Sequence, residues 1–141
     1  MSLTMQQEMI LEAVAKSYQF YVTTPNWPNQ RPTDLTAGGF FLDKLTNSPK
    51  EVKVILDAIG KACIKGEKED PKNYQHAVLC SKLLGELSAH DTALRDNINK
   101  NLDEVGQKQF KQNPKELHSV MASQMIFKDV MNEDKKSPRP K

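Results

Sequence analysis

Apolar residues along this chain recur at steps of three and four. Counting from Pro49, Val52, Ile55, Leu56, Ile59, Ala62 and Cys63 share one stripe, the spacing an amphipathic helix uses to bury one face. Beyond Pro71, Tyr74, Ala77, Val78, Leu84 and Leu87 fall close to one face, widened by Cys80 and Leu83. Met9, Ile10, Ala13, Val14, Tyr18, Tyr21 and Val22 predict a first helix from about Met5 to Val22. A shorter one is predicted from Thr36 or Ala37 to Leu45. A glycine costs about 1 kcal/mol in a helix interior, which places Gly38 and Gly39 in its opening turn and lets Phe40, Phe41, Leu42 and Leu45 pack.

Two more stripes complete the pattern. After Thr92, the residues Leu94, Ile98, Leu102 and Val105 follow steps of four, four and three. They predict one helix, weakened locally by Asn97, Asn99 and Asn101. A strand there would put Lys100 on the apolar side. After Pro114, Leu117, Val120, Met121, Met125 and Val130 mark the last helix, broadened by Ile126 and Phe127.

Start signals punctuate these stripes. Ser48-Pro49-Lys50-Glu51 combines a capping serine, a proline at the first helical position and a glutamate able to reach back. Asn113-Pro114-Lys115-Glu116 repeats the arrangement, and Asp70-Pro71-Lys72-Asn73 has its first two parts. Thr4 with Gln7 is a fourth candidate and Asp91 a plain cap. Gly66 stands where a C-terminal glycine belongs.

The expectation is an all-α fold, a compact bundle of about five to six mostly antiparallel helices. Only the turn from Gly66 to Asp70 and the segment from Thr23 to Leu35 are substantial connections. Leu83 to Ile98, "LLGELSAHDTALRDNI", resembles the joint between successive helices of armadillo-type repeats. The resemblance spans sixteen residues with no second copy, and it makes a short armadillo- or HEAT-like array the alternative architecture.

Length and charge narrow the function classes. A chain of 141 residues suits one domain, which at this size buries roughly 68% of the surface its unfolded form exposes. That domain is expected over residues 1–132, with a disordered polar tail over 133–141. The tail, "EDKKSPRPK", sets Lys135, Lys136, Arg139 and Lys141 against Glu133 and Asp134. Its two positive charges in excess account for the whole net charge of +2, so the body is neutral. A neutral body releases few counter-ions, and the chain holds 17 lysines but only 3 arginines; nucleic acid is a poor partner on both grounds. No apolar run approaches the ~18 residues of a membrane span, and none has the layout of a secretory signal. The tail is similar in composition to the polar C-terminal tails of bacterial effectors exported by specialised secretion systems, which would imply delivery to a host cytoplasm.

Candidate chemistry is sparse. Cys63 and Cys80 lie mid-helix on apolar stripes, the setting of inert thiols in a reducing, cytoplasm-like compartment. His76 lies four residues before Cys80, so both point the same way, and Cys63 sits on the helix expected alongside. A metal- or thiol-dependent protein using Cys63, His76 and Cys80 is therefore one alternative. A structural zinc site, however, wants four ligands, usually closely paired, and a reactive thiolate wants an electropositive, partly open place. His90 with Asp91 reads as the end of one helix and the cap of the next. His118 is expected at the surface, in the first turn of its helix. No calcium loop, phosphate-binding glycine loop or nucleophile elbow occurs, so no catalytic residue, metal or cofactor is expected.

The remaining signal is "TTPNWPNQRP", residues 23–32. Its three prolines exclude helix and reduce the entropy lost when the segment orders. Trp27, the chain's one tryptophan, is expected to fold back over an open end of the bundle. Alternatively it anchors a partner, as tryptophan often does at interfaces. Phe40 and Phe41 are adjacent, so one helix face cannot bury both. A non-enzymatic protein-binding or adaptor module is the expected function, with contacts through Trp27, Arg31, Phe40 and Phe41 and an adjacent helix face. A homo-oligomer whose stripes close a core between chains is a further alternative.

Overall fold

Thr4 opens the first helix with a complete capping box: its hydroxyl accepts the Gln7 amide N–H at 3.1 Å, while the Gln7 side chain accepts the Thr4 N–H at 3.1 Å. The computed structural model of the protein describes residues 3–27, 37–45 and 47–124. Its helices are α1 (Met5–Val22), α2 (Ala37–Leu45), α3 (Pro49–Glu69), α4 (Pro71–His90), α5 (Thr92–Lys100) and α6 (Glu104–Gln112). A 3-10 turn over Pro114–Glu116 leads into α7, residues 117–124. The fold is all-α, and no strand occurs among the described residues.

The other caps act as their side chains dictate. Ser48 accepts the Glu51 amide at 3.4 Å, Asp70 the Asn73 amide at 3.3 Å and Asp91 the Leu94 amide at 3.0 Å. Gly66 takes φ 80°, a left-handed conformation that costs other L-residues roughly 1–2 kcal/mol. It breaks the α3 axis and turns the chain into α4.

Three expectations are corrected. The stripe through Leu102 and Val105 does not form one helix: α5 ends at Lys100, and Asp103 caps a new helix by accepting the Gly106 amide at 2.8 Å. Leu102 stays buried, whereas Val105 is turned outward and 66% exposed. Asn113 makes no side-chain cap bond, so Asn113-Pro114-Lys115-Glu116 nucleates a 3-10 turn before α7 instead of an α-helical start. His118 is half-buried, its ring edge-on to Tyr74 at 5.1 Å between centroids, rather than at the surface.

The asparagines that weaken α5 as an isolated helix serve its neighbours. Asn97 Nδ2 donates to the Leu45 carbonyl at 2.9 Å, satisfying the open C-terminal end of α2. Asn101 Nδ2 donates to the Asn97 carbonyl at 2.9 Å and helps close the end of α5.

Packing is that of a bundle, not of a linear array. α1 lies against α2, α3 and α4, and α4 against α1, α3, α5 and the Pro114–Glu116 turn. Repeat arrays restrict each unit to its sequence neighbours, and α1 with α4 breaks that restriction. α3 and α4, joined by a short turn, form an antiparallel pair. By contrast, α1 and α4 run parallel: Asn73 meets Glu8, Cys80 meets Leu11, and Glu86 faces Tyr18 in ascending order along both helices. Leu11, Val14, Tyr21, Ile55, Ile59, Leu83, Ile98 and Phe110 are at most 1% exposed and belong to one core cluster. Burying each aliphatic side chain contributes about 1.5–3 kcal/mol.

Gly38 is where α2 crosses α1. A Cβ there would lie 2.2 Å from the Ala13 carbonyl oxygen and 2.4 Å from Ser17 Oγ. The glycine is in the opening turn, as expected, but the reason for it is contact between two helix backbones.

Candidate functional site

Two parallel helices of matching length leave a furrow between their outer faces. Near its start it is lined by Met5, Glu8, Met9 and Glu12 from α1 and by Lys72 and His76 from α4, enclosing about 300 Å³. Further along, Ala15, Lys16 and Gln19 face His76 and Leu79 around a second hollow of about 270 Å³. His76 belongs to both, so the hollows form one furrow. Beyond the C-terminal end of α1, the Trp27 indole N–H donates to the Glu86 carboxylate on α4.

The local sequence explains each feature of this face. Met5 and Met9 are one helical turn apart and therefore adjacent on α1; they are 78% and 63% exposed. Asn73 is buried at 7% exposure, its Nδ2 donating to Asp70 Oδ2 at 2.8 Å and Glu8 Oε1 at 3.2 Å. Those bonds tie the start of α4 to the start of α1. Glu12 pairs with Lys16 at 3.1 Å, and the Lys16 hydrogen bond and charge, then Lys72, hold its carboxyl below the usual range. Burial pushes the His76 imidazole below its ordinary value, with Glu12 acting against the shift. Among the described residues its buried Nδ1 has no hydrogen-bond partner. The ring, its charged form disfavoured by burial, lines both hollows.

The structure separates the residues singled out from the sequence. Trp27 is half-buried, edge-on to the Tyr21 ring at 5.6 Å, and packs against the core. Phe41 also packs against the core, whereas Phe40 is 57% exposed, which is how adjacent phenylalanines on a helix must divide. Arg31 and the tail from Glu133 lie outside the described residues. Phe20, not singled out from the sequence, is 49% exposed beside Tyr21. Met5 and Glu8 were also overlooked, because an α1 surface pair gains meaning only once α4 lies next to it.

Cys63, His76 and Cys80 do not converge. The fully buried Cys80 Sγ donates to the Leu11 carbonyl at 3.3 Å. Cys63 Sγ approaches the His118 carbonyl at 3.9 Å, and His76 lies out in the furrow. Burial pushes the Cys63 thiol up to about 12 and the Cys80 thiol also upward, the opposite of an activated nucleophile. Among the described residues no group of three or more His, Cys, Asp and Glu is placed to hold a metal ion. No described helix is long and apolar enough to cross a membrane. Comparison with known protein families, with characterised proteins and with solved structures finds no match to this chain.

Proposed function

We propose that this chain is a non-enzymatic helical module that binds another protein along the α1–α4 furrow, with Phe40 and the Trp27 end of the bundle at the margin of the contact. The observation that carries this reading is the exposed Met5–Met9 pair on the rim of a furrow built by two parallel helices. Methionine is flexible and polarisable and adapts to apolar partners. An exposed apolar rim beside a concavity is the usual form of a docking surface. Trp27 then acts mainly as a wedge between Tyr21 on α1 and Glu86 on α4, leaving Phe40 as the freer aromatic contact. Two buried, unpaired thiols suit a reducing, cytoplasm-like setting.

The test compares proteins captured by the wild-type chain, by a Met5→Asp/Met9→Asp double variant and by Phe40→Asp, after circular dichroism and melting curves establish equal folding. A partner retained by the wild type and lost with the methionine variant supports the furrow. An identical captured set for the wild type and both variants overturns it. A second copy of the chain is the competing occupant, and light scattering at high concentration separates that case.

A further inference from the structure

We infer that a pocket between α6 and α7 is a binding site for an extended peptide segment, which inserts one apolar side chain and pairs its backbone amide with the Gln124 carboxamide. The pocket encloses about 280 Å³ and is lined by Val105, Gly106, Gln109, Val120, Ser123 and Gln124. It shares no residue with the α1–α4 furrow and stands independently of the function proposed for that surface.

Gln124 is the observation that points to a ligand. The residue is 6% exposed, yet among the described residues neither Oε1 nor Nε2 of its side chain has a hydrogen-bond partner. An unmet buried polar group costs about 1–3 kcal/mol, and groups of this kind in a folded protein call for an explanation. Here both ends of one carboxamide are unmet, a donor and an acceptor side by side. The N–H and C=O of a single extended residue are the complementary pair, and they match a planar carboxamide in two parallel hydrogen bonds.

The surroundings fit that ligand. Val105, which the break at Asp103 turns outward, and Val120 supply apolar walls for a side chain. The volume exceeds the roughly 150 Å³ that holds a benzene ring, so a leucine or phenylalanine side chain can enter. Gly106 keeps α6 clear of the carboxamide, since a Cβ there would lie 2.8 Å from Gln124 Oε1. Among the described lining residues the one charged side chain is Asp103, whose carboxylate already accepts the Gly106 amide, so the described walls favour an uncharged ligand.

The experiment uses the full chain and two five-residue peptides, acetylated and amidated, of sequence Ala-Ala-Leu-Ala-Ala. One is unmodified and the other carries an N-methyl group on the leucine nitrogen, which removes the donor. Nuclear magnetic resonance titration is expected to shift Val105, Gly106, Val120 and Gln124 signals with the unmodified peptide. Affinity should fall at least fivefold on N-methylation, and equally in Gln124→Met. That variant supplies a second readout: replacing an unmet amide by an apolar group of similar shape should raise the unfolding temperature of the free protein. A lowered temperature would mean that the amide is satisfied within the chain, and equal affinity of the two peptides would mean that it reads no backbone. Either result, or no shift at millimolar peptide, overturns the site.

Discussion

The indole N–H of Trp27 donates to the carboxylate of Glu86, joining residues 59 positions apart. Through this bond and the edge-on contact with Tyr21, Trp27 is fastened to both helices that bound the furrow. A hydrogen bond to a charged acceptor contributes about 1.5–3 kcal/mol, and partial exposure of this site puts it at the lower end. Because the chain holds one tryptophan, its fluorescence reports the contact directly. Glu86→Ala should shift the emission to the red and lower stability by about 1 kcal/mol, whereas Trp27→Ala should cost about 2 kcal/mol. Emission unchanged in Glu86→Ala would show that the bond does not hold in solution.

Gly38→Ala tests the crossing of α1 and α2. The obstacle is the Ala13 backbone carbonyl, which cannot swing aside as a side chain can. Overpacking of this kind costs about 1–3 kcal/mol or more, and the urea midpoint should drop accordingly. Gly66→Ala meets open space and suffers only from its φ of 80°, so about 1 kcal/mol is expected there. Equal effects at the two positions would remove the distinction between crowding and backbone conformation.

Asp103→Ala removes the cap that divides α5 from α6. Loss of an aspartate cap costs about 1 kcal/mol. Amide exchange at Gly106, whose N–H the carboxylate accepts at 2.8 Å, should accelerate while core amides in α4 change only with global stability. Unaltered exchange at Gly106 would count against the break at this position.

Acid should weaken the fold through its histidines. Burial depresses both His118 and His76 below the imidazole value of 6.5, so the unfolded chain binds protons more readily than the folded one. Stability is therefore fully present above pH 6.5 and is lost as the pH falls towards the folded values. Urea midpoints between pH 7.5 and about 5 should decline, and His118→Gln should flatten the slope. A profile that is level across this window, or one that rises towards acid, contradicts the burial of these rings.

Thiol labelling should be silent in the native state. Cys63 is pushed up to about 12 and Cys80 is fully buried, so both should react with a thiol reagent at the rate of opening and only become fast in denaturant. A rapid native burst from either would reopen thiol chemistry.

The sequence by itself determined where most helices begin, because a cap is a bond between a side chain and an amide three residues on. Thr4, Ser48, Asp70 and Asp91 were readable for that reason, and Gly66 broke the axis of α3 by a preference of its own backbone. Periodicity also marked the buried faces of α3 and α4, but on α1 it placed Met9 inside, where the structure leaves it 63% exposed, and passed over the fully buried Leu11. Tertiary structure decided what depends on residues distant in sequence. That α1 and α4 lie parallel, and so turn Met5, Met9 and His76 into a furrow, follows from how α2 and α3 carry the chain between them. That Leu102 stays inside while Val105 turns outward follows from a cap at Asp103 that the step of three concealed. Whether Trp27 packs or protrudes was settled by Glu86 on another helix, a partner that no local pattern around the tryptophan encodes.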